Sequence, residues 1–409
     1  MGGERLLLCL CGDVMLGRGI DQILPHPGDP ALEEAYVRDA RTYVELAEAV
    51  GGALPQRPVG FSWPWGEALK VLDAAAPDVR ILNLETSVTR SDESTHGKAV
   101  LYRMHPANLP CLLMAHPDVC VLANNHVLDY GRSGLGDTLD ALAAAGLRTA
   151  GAGRNLAEAQ RPAAVPLADG TRVVVHAVGM ASSGIPPGWA ATAERSGVAF
   201  AAEASQAAAA EVVERMRSVK RPGDLTVVSV HWGSNWGYGV PRDQVRCAHA
   251  LIDGGADVVH GHSSHHPRPM EVYRGRFITY GCGDLVNDYE GIGGYEEFRD
   301  DLRLLYLVAV DPGTGLLQDV RVVPLRSRRL RLCRASDADS RWLDEVLARI
   351  CRGFGARVGR DPDGTLRVTP AADGPALRDP PPGGRVEKAA EPRRGGGDDG
   401  HRHGQPRHR

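Results

Sequence analysis

Several things are scarce in this chain, and each absence excludes something. Aromatic residues make up 5% of the 409 positions, while Ala, Arg and Gly are abundant. That skew reads as compositional bias before it reads as function. Charge of one sign is not in excess: 47 Lys and Arg against 51 Asp and Glu leave a net charge of -4. A general affinity for nucleic acid or for an anionic membrane is therefore not expected. No apolar run approaches the ~18 residues of a membrane helix. The start of the chain shows no separate basic, apolar and cleavage regions of a secretory signal, so a cytoplasmic protein is expected. The eight cysteines lack CxxC spacing and fall mostly inside expected strands or helices. They read as small buried apolar residues in a reducing compartment. No internal repeat is present, and the lack of a P-loop signature or other visible ATP site weakens an autonomous ligase.

What remains is ordinary for a globular protein: 43% hydrophobic and 24% charged residues. Residues 5–10 read as a buried strand. After a loop with Pro25, Pro27, Gly28 and Pro30, residues 31–50 read as a helix. A helix over 67–75 precedes a strand ending at Asn83, and a helix over 135–145 stops at Gly146. Strands over 172–179, 225–230 and 258–259 alternate with helices over 201–219 and 243–253. Hairpins follow, over 271–280 and between 302–310 and 318–324. Early βα units followed by hairpins indicate an α/β protein with a mixed sheet or two packed sheets. A helix over 340–354 and a strand over 365–369 come last. Pro, Gly, Arg and Asp dominate beyond that point. The expected organisation is a main domain over 1–330, an extension over 331–370 and a disordered tail over 371–409 carrying His401, His403 and His408.

The densest signal lies where strands should end. Apolar runs are followed by Gly12-Asp13, Asn83-Leu84-Glu85, Asn124-Asn125-His126, His231-Trp232-Gly233, Gly261-His262 and Ser264-His265. Ligands in open α/β sheets collect beyond the carboxyl ends of strands. Taken singly, Asp13 could cap a turn, the Asn pair could form one, and His231 could be packed. Glu85 at a buried strand end needs a partner, because an isolated buried carboxylate is costly. Gly261 allows close backbone approach beside His262 and His265. His260 reads as a packed strand residue. Together, carboxylates, amides and imidazoles without a thiolate suit Mn, Fe or Zn, with one or two ions.

These segments, with Asp13-Val14-Met15-Leu16-Gly17-Arg18, Tyr102-Arg103-Met104-His105-Pro106, Asn125-His126-Val127-Leu128-Asp129-Tyr130-Gly131 and Gly261-His262-Ser263-Ser264-His265, resemble the CapA-type family. That family is named for poly-γ-glutamate capsule biosynthesis and is similar to calcineurin-like metallophosphoesterases. The resemblance spans about residues 5–324. It implies a four-layer α/β/β/α sandwich. It also implies that Asp13, Glu85 and His265 hold one metal, that Glu85, Asn125, His231 and His262 hold another, and that Glu85 bridges. His126, with Asp129, is then the catalytic pair, His126 serving as general acid or leaving-group stabiliser. The chain departs from the pattern in having Met15 where a histidine is usual, Glu85 where Asp is usual, and Asn235 and Asp284 at two further places. Asp284, Asp288 and Glu290 could replace missing ligands, select a cationic substrate group or form a solvated loop.

Arg18, Lys98, Arg103 and His105 are the candidate anion clamp, since Arg suits bidentate carboxylate and phosphate contacts. The expected activity is metal-dependent hydrolysis of an anionic ester or amide. The alternatives are an accessory role in forming or releasing a γ-glutamyl polymer, and a metal-binding scaffold for a biosynthetic partner enzyme.

Overall fold

The computed structural model describes residues 5–371, so the expected tail from 372 onward lies outside the described residues. Period-two alternation decides the layering. In strand Leu6–Val14, Leu6, Leu8 and Leu10 face one way while Leu7, Cys9 and Cys11 face the other. This strand lies within a ten-stranded sheet. Its parallel neighbours continue through Val79–Leu84 and Val119–Val121 to Arg148–Ala150, and its antiparallel neighbours run through Leu302–Val310 and Leu317–Ser327 to the hairpin of Ala356–Arg360 and Leu366–Pro370. A seven-stranded sheet holds Arg172–Met180, Leu225–His231, Val258–His262 and Arg276–Thr279 in parallel, with Met270–Tyr273 and Ala163–Pro166 antiparallel to their partners.

The two sheets share one apolar cluster. Leu8, Ile81, Val119 and Val308 of the large sheet meet Val175, Val227, Val258 and Phe277 of the smaller one. Cys9, Leu82 and Leu305 on the outer side of the large sheet pack with Ile20, Val44, Leu72 and Leu139 of helices Arg18–Ile23, Arg41–Gly51, Glu67–Ala75 and Gly131–Ala144. Val228, Val230 and Ile278 pack with Val212, Met216, Ala248 and Leu251 of helices Gln206–Val219 and Arg242–Asp253. Burial at about 25 cal/mol per Å² of apolar surface is what holds such layers together. The α/β class is as expected. The C-terminal hairpin adds strands to the large sheet.

Two sequence expectations differ. The helix expected over 31–50 begins only at Arg41, because Glu34 turns inward to Arg18 and Tyr43 and a short bridge joins Ala31 and Asp39. The helix expected over 201–219 begins at Gln206, where the Ser205 side chain caps it by accepting from the amide of Ala208, and Phe200–Ala201 is a strand. No helix among the described residues is long and apolar enough to cross a membrane. All eight cysteines are free.

Candidate metal centre

The parallel strands of both sheets deliver their carboxyl ends to one place. Leu6–Val14 brings Asp13, Val79–Leu84 leads to Glu85, and Val119–Val121 leads to Asn124, Asn125 and His126. Leu225–His231 brings His231, and Val258–His262 brings His262. His231 and His262 are register partners in neighbouring parallel strands, so their rings meet, with Nδ1 atoms 2.7 Å apart.

Amides link the carboxylates. Asn83 Nδ2 donates to Asp13 Oδ1 at 2.7 Å and to Glu85 Oε2 at 2.8 Å. Asn124 Nδ2 donates to Asn83 Oδ1 at 2.9 Å and to the Leu84 carbonyl at 2.8 Å. His231 Nε2 lies 2.7 Å from Asn125 Oδ1 and 3.9 Å from Glu85 Oε1, and His262 Nε2 lies 2.8 Å from Ser229 Oγ. His265 Nδ1 lies 3.0 Å from Asp284 Oδ1. Two sets of buried groups have ligand atoms within 4.8 Å of one another: Asp13, His231 and His262, and Asp13, His265 and Asp284.

The electrostatics suit a cation. Burial and the Asp284 charge push the Asp13 carboxyl up to about 7, and burial with Asp13 and Asp284 holds that of Glu85 well above the usual range. Burial holds His231 and His262 well below the usual imidazole value, so both rings are neutral and free to act as ligands. Burial alone would lower His265, but the Asp284 charge and hydrogen bond raise it. Carboxylates that repel one another beside neutral imidazoles form a donor set that a divalent ion would satisfy.

Beside this cluster stands His126, whose Nε2 is 3.8 Å from Glu85 Oε1. Its Nδ1 faces Asp129 Oδ2 at 2.7 Å and Lys98 Nζ at 2.8 Å. Lys98 also pairs with Asp129 and donates to the Asn125 carbonyl. The Asp129 carboxylate accepts from the Tyr102 amide at 2.6 Å. Burial pushes His126 down to about 4 against the pull of Asp129.

Of the expected clamp, Lys98 is at the site and the other three are committed elsewhere. Arg18 is buried, with Nη2 2.5 Å from Asp288 Oδ1, Nη1 3.1 Å from Glu34 Oε1 and 3.0 Å from the Tyr43 hydroxyl, and its guanidinium over the Tyr43 ring. It braces a wall. Arg103 donates to the Ser91 carbonyl and pairs with Asp92 at 2.6 Å. His105 caps a short 3₁₀ turn: Nδ1 accepts from the Ala107 amide at 3.2 Å, and Nε2 accepts from Arg90 Nε at 3.1 Å. His260 is packed between Ser229 and the Cys11 carbonyl, as expected. Ser229 and Asn287 were not singled out from the sequence, where a lone Ser inside a strand or a lone Asn in a loop carries no signal.

The model of the family described as bacterial capsule synthesis protein PGA_cap matches residues 7–289. A probable polyglutamine synthesis accessory protein of Mycobacterium tuberculosis is 54% identical over 371 residues, covering 90% of this chain and 97% of its own length. The capsule biosynthesis protein CapA of Bacillus anthracis is 26% identical, covering 79% of this chain and 67% of its own. A solved structure described as a novel phosphatase of Mycoplasma pneumoniae is 12% identical with a TM-score of 0.41, covering 79% of this chain and 94% of its own. The family match over most of the chain and the mycobacterial relative together establish that the chain belongs to the CapA family of bacterial capsule synthesis proteins.

Proposed function

We propose that the chain is a metal-dependent hydrolase of the metallophosphoesterase type, acting on an anionic ester or amide in the synthesis or release of a γ-glutamyl polymer. The observation that carries this reading is the convergence of buried carboxylates and neutral imidazoles from five strand ends, with His126 beside them. The order helices, sheet, sheet, helices supports a four-layer arrangement for the described part of the expected 1–330 domain, with 331–370 as an extension of it. In this reading Asp13, Glu85, Asn125, His231, His262 and His265 hold one or two ions of Mn, Fe or Zn. A bound divalent ion supplies a Lewis acid and a nucleophile at neutral pH.

The chain's own groups manage the proton. His126 is kept neutral by burial. If the Lys98 ammonium donates to Nδ1, the ring proton sits on Nε2, the edge nearest Glu85. His126 then donates to the leaving-group oxygen or nitrogen, and Lys98 stands behind it as a proton source. Asp129 holds both. Free thiols throughout support a reducing, cytoplasmic setting.

A second reading joins the mycobacterial relative's description as an accessory protein to the candidate metal cluster: a metal-binding scaffold that partners a synthetase without turnover. A His126→Ala variant separates the two. Retained metal with lost turnover supports the hydrolase, and unchanged function in polymer synthesis supports the accessory role.

A further inference from the structure

The short strand Asp284–Val286 has a specific place in the large sheet. Strand Leu6–Val14 pairs with Leu302–Val310 only as far as Cys11. At Asp13 the antiparallel neighbour gives way to Asp284–Val286, which runs parallel with Asp13 and Asp284 as register partners. Register partners in parallel strands point to the same face, so the two carboxylates are set side by side by backbone pairing. The approach depends on glycine: a Cβ on Gly12 would lie 1.7 Å from the Gly283 carbonyl oxygen.

Both carboxylates are buried and individually held. Asp13 accepts from Asn83 and, at 3.3 Å, from the Ser263 amide. Asp284 Oδ2 accepts from Asn287 Nδ2 at 2.5 Å, and Asn287 Oδ1 accepts from the buried Arg303 Nη2 at 2.7 Å. This outer chain occupies Oδ2 and leaves Oδ1 facing His265. Hydrogen bonds of this kind from behind are what orient metal-ligating carboxylates.

Resting on the metal-dependent reading above, we propose that Asp284 is a metal ligand, that Asp13, His265 and Asp284 form a second cation position, and that Asp13 is the ligand shared by the two ions. Asp13 is the residue common to both sets, and Glu85 stays beside the first with Oε1 3.9 Å from His231 Nε2. The positions are chemically unlike. Asp13 with His231 and His262, beside Glu85 and Asn125, brings two imidazoles, while Asp13 with Asp284 and His265 offers two carboxylates to one imidazole. The oxygen-rich position suits a hard divalent cation of the Mn or Mg type.

The test is Mn(II) stoichiometry by elemental analysis, with the electron paramagnetic resonance spectrum of the bound Mn(II), on the full chain without a His tag. The wild type is expected to bind two ions with an exchange-coupled spectrum. Asp284→Asn and Asp284→Ala are each expected to bind one, with an uncoupled six-line spectrum, even at Mn(II) 100-fold above the wild-type dissociation constant. Asp284→Asn keeps the side-chain volume and an oxygen to accept from Asn287, so a cooperative melt of its metal-free form shows that the lost ion is not a lost fold. Asn287→Ala keeps the ligand and loosens it, and should weaken one of the two ions about 10–100-fold. Two coupled ions in both Asp284 variants would overturn the proposal and leave the metal-dependent reading intact. One ion in the wild type would do the same. No ion in the wild type would remove both.

Discussion

Gly12→Ala tests whether backbone approach, rather than side-chain chemistry alone, builds the site. Gly12 does not have a positive φ, so alanine carries no torsional penalty there. The cost is steric. The new Cβ would sit 1.7 Å from the Gly283 oxygen, 2.9 Å from its carbonyl carbon and 3.0 Å from the Cys282 Cβ. Restoring an ordinary C···O contact of about 3.2 Å requires a separation of roughly 1.5 Å. That breaks the 3.2 Å hydrogen bond from the Asp13 amide to Gly283 and carries Asp284 away with it. Overpacking of this kind costs about 1–3 kcal/mol, and a buried backbone donor left unmade adds about 1–3 kcal/mol. A total of about 4 kcal/mol, against an unfolding entropy of roughly 0.8 kcal/mol/K for about 370 residues, lowers Tm by about 5 °C. Differential scanning calorimetry with Mn(II) titration measures both consequences. A Tm within about 1 °C of wild type together with full Mn(II) occupancy would refute the reasoning.

Other expectations follow from the same geometry. Lys98→Met leaves the buried Asp129 without its ammonium partner, and should destabilise by about 3 kcal/mol, or about 4 °C in a thermal melt. A melt unchanged from wild type would contradict that pairing. Arg18→Met strips Asp288 and Glu34 of their shared cation and should lower Tm by about 5 °C, while metal content and KM for an anionic ester stay at wild-type values. A tenfold rise in KM would return Arg18 to the substrate. The Asp13 carboxyl, pushed up to about 7, binds its proton more tightly folded than unfolded. Its contribution is therefore full below the ordinary carboxyl value and is lost as pH rises through about 7. In chelated protein, the Tm of the wild type minus that of Asp13→Asn should fall between about pH 5 and about pH 8, and a flat difference would contradict the shift.

The strand ends were legible because two local signals coincide at each. An apolar run says buried strand, and the Asp, Asn or His after it is too polar to continue one. Hence Asp13, Glu85, Asn125, His126, His231, His262 and His265 could be picked out before any fold was known, and they do come together. Arg18 could not be placed, because its partner Asp288 lies 270 positions away and a buried ion pair leaves no local pattern. Glu34 hid for the same reason: its stretch has helical composition, but tertiary pairing pulls it out of the helix. Asp284 was one of three acidic residues with several readings, and only the register against Asp13 distinguishes it from Asp288, which serves Arg18.

The most direct measurement is turnover by the Mn(II)-loaded chain on a phosphomonoester, a phosphodiester and a γ-glutamyl amide, run beside His126→Ala and the His262→Ala/His265→Ala double variant. The account expects one of these anionic substrates to be hydrolysed only with metal. The rate should fall about 10²–10⁴-fold in His126→Ala with metal retained, and vanish with the metal in the double variant. A fully metal-loaded wild type that turns over none of them, or a His126→Ala variant as fast as wild type, would contradict it.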